Sequence, residues 1–177
     1  QIEGAFSLVI TTNDSLVGVR DPQGFRPLCL GKTANGYVLS SESCAFDAIK
    51  AEFIRHIDPG EMVIIDDSGV RSTVYAEPEK IDKKLCVFEY IYFARGDSHI
   101  DGQSVYQSRL NMGRELYNET KYDADIVMSI PDSGTTAALG YARASGIPFA
   151  EGLVKNRYSG RTFIKPNQEE RELAVRM

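Results

Sequence analysis

The sequence predicts a mixed fold of α/β and α+β character, built in two parts. From residue 4 to about residue 80, short apolar runs alternate with turn residues, which is typical of antiparallel strands. Beyond Cys86, strands and helices alternate, which is typical of a parallel sheet covered by helices. The chain has 177 residues, 42% hydrophobic and 25% charged, so it can bury a real core.

Composition excludes several classes of protein. The net charge of −5 provides no overall positive field that would attract nucleic acid. No apolar run is long enough to span a membrane, and the first residues do not form a signal peptide. The cysteines Cys29, Cys44 and Cys86 lack CxxC spacing, and His56 and His99 form no metal pattern. We therefore expect a cytoplasmic protein in a reducing compartment.

Both ends of the sequence suggest a piece cut from a longer chain. The first residue is Gln1 rather than methionine, and the core-like run "GAFSLVI" follows almost at once. The last residues, "NQEERELAVRM", form a charged, helix-like segment without a stop signal.

Three hairpins are predicted in the first part. The runs "GAFSLVI" and "SLVGVRD" flank "TTND", and the runs "EMVII" and "VRSTVY" flank "DDSG". Between them, "RPLCLG" and "GYVLSSE" are joined at Asn35-Gly36, a strong hairpin signal. The polar segment "YAEPEKIDKK", which contains Pro78, is predicted to be a linker.

The second part follows a strand–helix–strand pattern. We interpret the aromatic run "CVFEYIYFA" as a strand, and Tyr106, Leu110, Gly113 and Tyr117 recur on one face of a helix. "ADIVMSI" is predicted to be a buried strand, and "SGTTAALGYARASG" a helix that stops at Gly146. "IPFAEGL" then begins the next strand, which completes a β-α-β unit of a parallel sheet.

The stretch "VIIDDSGVRST" resembles the motif with which phosphoribosyltransferases hold a ribose. That motif must open a helix, so that backbone N–H groups face the 5-phosphate. Here the β-branched run "VRSTVY" follows instead. We expect a hairpin turn with Asp66 and Asp67 exposed to solvent, and no helix starting at Ser68.

A better candidate for an anion site is "SIPDSGTT", where a predicted buried strand becomes a helix. Ser133, Thr135 and Thr136 can cap the helix and offer hydroxyls, while Gly134 lets a ligand approach the backbone. Taken alone, the same residues also fit an ordinary helix N-cap.

The stretch "KNRYSGRTFI" gathers Lys155, Arg157 and Arg161 within seven residues of an acidic chain. One interpretation is a solvated surface loop. The other is a mobile lid that closes on a polyanion, with Ser159 and Gly160 supplying the mobility.

Several motifs occurring in order carry a resemblance over nearly the whole chain. They are "RDPQGFRPLCLG", "SSESCAFDAI", "PGEMV", "FEYIYFARGDS", "SVYQSRLNMGREL", "PDSGTTAALGYARASGIP" and "KNRYSGRTFI". Together they closely resemble the amidophosphoribosyltransferase family, also called glutamine phosphoribosylpyrophosphate amidotransferases. "FEYIYFAR" and "KNRYSGRTFI" are specific, whereas "RDPxGxRPL" is shared with other glutaminase domains.

The resemblance implies the fold and the domains. Residues 1–80 look like the second half of a glutaminase domain of the N-terminal-nucleophile type, a four-layer αββα sandwich. Residues 81–177 look like the first part of a type I phosphoribosyltransferase domain. Gln1 has no nucleophilic atom, and Cys29 and Cys44 are expected to be buried thiols in strand or strand-end positions, so the glutaminase site is expected to be incomplete in this chain. The resemblance places the family's diphosphoribose motif beyond Met177, so the transferase site is expected to be incomplete as well.

The resemblance also implies a glycosyltransferase of purine biosynthesis. Such an enzyme hydrolyses glutamine, channels the ammonia and displaces diphosphate from phosphoribosylpyrophosphate, giving 5-phosphoribosylamine. It would use magnesium, bind purine nucleotide inhibitors, form a homodimer or homotetramer and, in some members, carry a 4Fe-4S cluster. The 177-residue chain by itself is expected to be inactive.

Site residues follow from matched positions. Lys155 and Arg161 look like the catalytic cations of a flexible loop that folds over phosphoribosylpyrophosphate, and Arg157 and Tyr158 like substrate-binding residues of the same loop. The aromatic Tyr92 matches a residue that lines the ammonia path. Its other interpretation, core packing by an aromatic strand, is compatible with that role.

Three further positions concern metals and turns. Ser133 matches a magnesium contact whose acidic partners would lie outside this chain. Cys86 matches a ligand of the iron–sulfur cluster, although other members keep a cysteine there without a cluster. Gly96 departs from the family, which usually has proline at this position, so a looser turn is expected.

Two alternatives to an active enzyme remain open. One is a catalytically inactive homologue that acts as a nucleotide-binding regulatory module. The other is a different glutaminase-coupled synthetase that shares only the first half, and the transferase-like second half argues against it.

Overall fold

The computed structural model describes residues 2–158 and 160–176, which form two compact units, one up to Asn111 and one from Met112. The strands are β1 Ser7–Thr11, β2 Leu16–Arg20, β3 Cys29–Thr33, β4 Gly36–Ser40, β5 Glu52–His56, β6 Glu61–Asp66, β7 Gly69–Val74, β8 His99–Ile100 and β9 Gln103–Ser104. The helices are α1 Cys44–Ala48, α2 Val105–Glu119, α3 Thr135–Ser145 and α4 Gln168–Arg176. This mixture of helices and antiparallel strands confirms the predicted mixed fold class, as well as the helical character of the C-terminal segment.

All three predicted hairpins are confirmed. β1 pairs antiparallel with β2, β3 with β4, and β6 with β7. They assemble into a four-stranded sheet of order β1-β2-β6-β7 and a three-stranded sheet of order β4-β3-β5. In the second hairpin Thr33 pairs with Gly36, so the two loop residues are Ala34 and Asn35, one position earlier than the Asn-Gly signal suggested.

The core of the first unit joins residues of both sheets. Leu28, Ile57 and Val63 are buried together, and Leu39, Ile65 and Val70 pack against them. A Cβ placed on Gly18 of β2 would lie 2.8 Å from the side chain of Leu39 on β4. Glycine therefore makes room for the close approach of the two sheets.

Helix α1 covers the three-stranded sheet. Phe46 is buried, and its ring would lie 2.9 Å from a Cβ placed on Gly31 of β3. Cys29 and Cys44 are both buried, as predicted for structural thiols. Cys44, however, is the first residue of α1 and not part of a strand or strand end, because the "SSES" turn before it leads into a helix.

The segment "VIIDDSGVRST" forms the predicted hairpin turn, with Asp66 of β6 paired to Gly69 of β7 and no helix at Ser68. Asp67 is exposed, as expected. The prediction that Asp66 is exposed is wrong, since its side chain is only 20% exposed. Its carboxylate accepts hydrogen bonds from Ser68 and pairs with Arg71, which draws it back onto the hairpin.

The predicted linker "YAEPEKIDKK" lies along the first unit and contains a short 3-10 turn, Pro78–Lys80. Around it, backbone amides donate to the carbonyls of the loop after β2, from Asp82 to Pro22, from Lys84 to Gln23 and from Cys86 to Phe25. These contacts attach the segment to the sheet while its charged side chains remain exposed.

The aromatic run "CVFEYIYFA" is helical, and its interpretation as a strand is wrong. Glu89–Phe93 forms a π-helical turn that ends with a hydrogen bond from the Ala94 amide to the Glu89 carbonyl at 3.1 Å. Glu89 and Ala94 are buried, whereas Ile91, Tyr92 and Phe93 are exposed. Polar contacts of the buried side override the β-propensity of the aromatic residues.

In the second unit, α2 and α3 pack through a glycine. A Cβ placed on Gly113 would collide with the backbone of Ala137 and Tyr141, so only glycine allows this approach. Tyr117 and Tyr141 meet edge to face, with ring centroids 5.4 Å apart. The predicted helix face is confirmed at Leu110 and Gly113, but Tyr106 is exposed.

The predicted end of α3 is also confirmed. Gly146 follows the helix with φ 75°, and its amide donates to the Ala142 carbonyl. The predicted buried strand "ADIVMSI" is reduced to one parallel bridge between Val127 and Phe149, and Ile126, Met128 and Ile130 are exposed. The bridge keeps the parallel sense expected of a β-α-β unit.

Among the described residues, no helix combines the length and the apolar character needed to cross a membrane. The predicted domain boundary near residue 80 stays a prediction, because the division of the chain between Asn111 and Met112 reflects compactness and does not identify either domain.

Candidate functional site

The candidate anion site lies between the Val127 bridge and the first turn of α3. Residue Gly134 occupies the N-cap position, and no described side chain caps the helix. The predicted capping by Ser133, Thr135 or Thr136 is therefore wrong. Thr135 instead shares a hydrogen bond of 3.1 Å with Ser129, and the exposed Ser133 turns to solvent. The Thr135 amide donates to the Asp132 carbonyl at 3.2 Å. The N–H groups that follow it in the first turn, with the positive end of the helix dipole, favour an anion.

Gly134 has a second, structural reason to be glycine. A Cβ at this position would lie 2.8 Å from the carbonyl oxygen of Ile130. The loop thus folds back tightly on itself before the helix begins. Both the ligand-approach interpretation and this close contact require a small residue.

Lys155 lies beside this loop. Its Nζ is 3.4 Å from Oδ2 of Asp132, and both side chains are more than half exposed, 55% and 59%. The structure therefore brings together the "PDSGTT" loop and the start of "KNRYSGRTFI", two motifs that are separate in sequence. An exposed pair of this kind contributes little to stability, so Lys155 is available to another anion.

The other predicted lid residues are exposed. Arg157 and Arg161 form no ion pair with any described residue, and Tyr158 is 101% exposed. Ser159, predicted to supply mobility together with Gly160, lies outside the described residues. Phe163 and Ile164, the apolar residues at the end of the segment, are 73% and 64% exposed on a 3-10 turn, Thr162–Ile164. Of the three cations, Lys155 is the one for which a contact with the anion site is found among the described residues.

Tyr92 lies in the first unit, on the exposed side of the π-helical turn. It is 56% exposed and contacts Phe93 edge to face, with ring centroids 5.9 Å apart. The alternative interpretation of Tyr92 as a core residue is therefore wrong.

The described residues do not by themselves fit either expected metal group. No cluster of three or more histidine, cysteine or acidic residues that could hold a metal is present among them. Ser133 offers a single hydroxyl, and Cys86 is a free, partly buried thiol. Magnesium at Ser133 and a cluster at Cys86 both require ligands from outside the described residues.

The two buried thiols are poor nucleophiles. Burial raises the pKa of the Cys29 thiol to about 12, and burial also raises the pKa of Cys44. Thiolate is the reactive form, so neither residue serves as a nucleophile near neutral pH.

Sequence reasoning missed Asp132 as the partner of Lys155. It also missed a set of buried polar contacts in the first unit, among them those of Glu42 and Arg109. The position of Asp132 inside "PDSG" was a usable signal, because an acid in an anion loop needs a cation. No local sequence signal indicates the polar contacts of Glu42 and Arg109, since their partners are distant along the chain.

Comparisons with known proteins point to one family, although no protein-family model matches the chain. The chain is 51% identical over 174 residues to the amidophosphoribosyltransferase of Archaeoglobus fulgidus, covering 98% of this chain and 38% of that protein. It is 54% identical over 179 residues to the amidophosphoribosyltransferase of Synechococcus elongatus, covering 99% and 36%.

A solved structure agrees with these relatives. The glutamine phosphoribosylpyrophosphate amidotransferase of Bacillus subtilis, complexed with ADP and GMP, matches with a TM-score of 0.88 and 47% identity. The match covers 99% of this chain and 38% of that one. The chain thus spans well under half the length of the relatives that it matches.

Proposed function

Because this chain belongs to the amidophosphoribosyltransferase family, we propose that the whole protein makes 5-phosphoribosylamine from phosphoribosylpyrophosphate and glutamine. This reaction is the first committed step of purine biosynthesis. The whole protein is then a cytoplasmic pentosyltransferase, and its glutamine-derived ammonia replaces diphosphate at C1 of the ribose. Residues 1–80 belong to the glutaminase domain and residues 81–177 to the transferase domain.

The juxtaposition of Lys155 with the uncapped start of α3 is the observation that carries this proposal. Phosphoribosylpyrophosphate carries a diphosphate and a 5-phosphate, so it is the kind of polyanion that both features attract. Lys155 contacts Asp132 beside the loop at 3.4 Å. A bound diphosphate competes with the Asp132 carboxylate for the same ammonium group.

Charge development explains the rest of the segment "KNRYSGRTFI". The leaving diphosphate gains negative charge in the transition state, which Lys155 stabilises as a point charge and Arg161 as a two-point donor. Arg157 and Tyr158 contact the bound substrate. Closing the segment also excludes water, which would otherwise trap the electron-poor C1 in place of ammonia.

The remaining assignments complete the proposal. Tyr92 lines the path of ammonia between the two reaction centres. Ser133 would contact magnesium, and Cys86 would be one ligand of an iron–sulfur cluster, in each case together with ligands from outside the described residues. The enzyme is a homo-oligomer that purine nucleotides inhibit.

A second candidate function is a catalytically inactive module that senses purine nucleotides. The Bacillus subtilis structure that this chain resembles is complexed with ADP and GMP, which favours nucleotide binding in such a fold. Binding of nucleotides without turnover distinguishes this candidate from the enzyme.

The test uses the full-length protein that carries this chain. Purified protein is supplied with glutamine, phosphoribosylpyrophosphate and magnesium, and the release of glutamate and of diphosphate is measured. We expect both products in equal amounts. Binding of ADP or GMP without release of either product would instead support the regulatory module.

A further inference from the structure

The π-helical turn Glu89–Phe93 has one buried side and one exposed side. Glu89 and Ala94 are buried, and Tyr90 is half-buried with its hydroxyl donating to the Ile100 carbonyl at 2.9 Å. On the other side, Tyr92 and Phe93 are 56% and 51% exposed. The buried side therefore determines where the exposed aromatic rings lie.

Arg109 of α2 holds this turn on both sides of Tyr92. Its Nε donates to the Tyr90 carbonyl at 2.6 Å, and its Nη2 donates to the Ala94 carbonyl at 2.8 Å. These carbonyls lie two residues before and two residues after Tyr92. The last carbonyls of a helical turn lack partners within the turn, and a cation suits this end of it.

The burial of Arg109 is costly if stability is its only purpose. The residue is 9% exposed and forms no ion pair with any described residue. Taking a charge out of water carries a penalty that carbonyl hydrogen bonds offset only in part. The two hydrogen bonds of Arg109 instead fix the backbone geometry at Tyr90 and Ala94.

Glu42 fixes the chain immediately after the turn. Its Oε2 accepts hydrogen bonds from the Arg95 amide at 2.8 Å and from the Ser98 hydroxyl at 2.7 Å. Ser98 is fully buried, and next to Glu42 the Ser43 hydroxyl accepts from the His99 amide at 2.8 Å. The segment that leaves the aromatic turn is thereby attached to the loop before α1.

We infer that Arg109 and Glu42 are positioning residues for Tyr92. They act by holding the backbone around it, and they set the efficiency with which ammonia reaches the ribose. This inference rests on the proposed function, in which Tyr92 lines the ammonia path. Neither residue touches a substrate, so each half-reaction on its own should proceed without them.

The experiment uses the full-length protein and three rates. They are glutamine hydrolysis, phosphoribosylamine formation from glutamine, and phosphoribosylamine formation from added ammonium. The variants are Arg109→Met, Glu42→Ala and Glu42→Gln. The exposed Arg114→Met on the same helix is the control, because the ion pair found for Arg114 within the described part of the chain is with its neighbour Glu115.

In Arg109→Met and Glu42→Ala, we expect the yield of phosphoribosylamine per glutamine hydrolysed to fall about tenfold, since small misplacements of groups around a reaction path have large effects. Glutamine hydrolysis and the ammonium-dependent rate should stay within about twofold of wild type, as for substitutions that leave stability and chemistry intact. Glu42→Gln should recover most of the yield, because its amide oxygen still accepts hydrogen bonds.

An unchanged yield, or a joint fall of all three rates, would overturn the inference. If Arg109→Met does not fold, the two Glu42 variants decide by the same criteria. Failure of the proposed function is recognised in the wild-type protein itself, which would then make no phosphoribosylamine from glutamine or from ammonium. In that case the inference about Arg109 and Glu42 is overturned as well.

Discussion

Arg20 and Asp101, which are 81 residues apart in the sequence, form a buried two-point ion pair with both N–O distances at 3.1 Å. Their side chains are 1% and 6% exposed. The other guanidinium hydrogens go to three carbonyls, those of Arg26 at 2.9 Å, Ile57 at 2.7 Å and Gly24 at 3.0 Å. All five N–H donors of Arg20 are thus used, which joins the loop after β2, the end of β5 and the β8–β9 hairpin.

The first prediction is that Asp101→Asn destabilises the protein by about 3–5 kcal/mol, since removing one partner leaves a buried charge uncompensated. Asparagine removes the charge at this position without straining the backbone, because Asp101 has φ 47° and asparagine tolerates this left-handed conformation. Denaturant unfolding of both proteins measures the difference. The control is Asp82→Asn, whose exposed pair with Lys84 should be worth less than about 1 kcal/mol. Equal losses in the two variants would contradict the prediction.

The second prediction concerns acid stability. Burial alone would raise the pKa of Asp101, but the hydrogen bonds and charge of Arg20, together with those of Lys83, hold it below its ordinary 3.8. A carboxyl with a lowered folded-state pKa contributes stability that is fully present above 3.8 and is lost as pH falls through the folded pKa. Unfolding free energies measured from about pH 5 to pH 3 should therefore fall more steeply in wild type than in Asp101→Asn. Parallel curves would show that Asp101 does not titrate in this way.

Local pattern predicted most of the antiparallel part of the fold. Alternating apolar residues bounded by turn residues were sufficient for the three hairpins, and glycine at position 146 was sufficient for the end of α3. These features depend on neighbours in sequence, so a sequence window contains their cause.

Features set by distant partners could not be predicted in this way. The run around Tyr92 has strand-like composition, yet its backbone forms a helical turn. Arg109 donates to a carbonyl of this turn, and Glu42 accepts from an amide of the loop that follows it. Likewise, within the described part of the chain Val127 forms one isolated bridge, to Phe149, although its segment has the apolar composition of a buried strand. The composition of a segment shows how much apolar surface it could bury. Whether it forms a buried strand depends on the segments that pack against it in the fold.

The candidate site shows the same division. The residue types of "PDSGTT" favour an anion site, which stays a prediction, and the cationic character of "KNRYSGRTFI" follows directly from its residues. The contact between Lys155 and Asp132, across 23 positions, required the structure.

The third prediction is that Gly113→Ala destabilises the protein by about 2 kcal/mol or more, since an added methyl overpacks the contact between two helices. Inside a helix this exchange ordinarily stabilises by about 1 kcal/mol. Here the new Cβ meets the backbone of Ala137 and Tyr141, which cannot move aside as a side chain would. Thermal and denaturant unfolding measure the loss. Gly160→Ala, whose Cβ would meet no atom within 4 Å, is the control, and a gain in Gly113→Ala would contradict the packing.

The fourth prediction is that Gly96→Pro stabilises the protein by about 0.4–1 kcal/mol, by restricting the unfolded chain. Gly96 is the second residue of a turn in which the Ser98 amide donates to the Arg95 carbonyl at 3.1 Å. Proline is favoured at this place, and no hydrogen bond of the Gly96 amide is found within the described part of the chain. The nearest atom to an added Cβ is a nitrogen of Arg109 at 4.0 Å. Denaturant midpoints of Gly96→Pro and Gly96→Ala are compared, and a less stable proline variant would show that the turn cannot accept it.

The fifth prediction concerns Arg161 and Lys155 in the full-length protein. Both side chains are exposed, so Arg161→Ala should change the free energy of unfolding by less than about 0.5 kcal/mol. If the arginine binds the leaving diphosphate mainly in the transition state, the same change should cost about 2–4 kcal/mol of catalysis, as for a lost oxyanion donor. It should lower kcat more than it raises KM for phosphoribosylpyrophosphate. We expect the same direction for Lys155→Ala.

Steady-state kinetics of both half-reactions provide the measurement. Glutamine hydrolysis without the second substrate should be unchanged in both variants, because that chemistry belongs to the other domain of the proposed enzyme. Lys165→Ala is the matched control, since this exposed lysine lies just beyond the segment. Its transferase kinetics should equal those of wild type if the position of the charge matters rather than the total charge. Wild-type transferase kinetics in Arg161→Ala and Lys155→Ala would refute the lid, and the segment would then be a solvated surface loop.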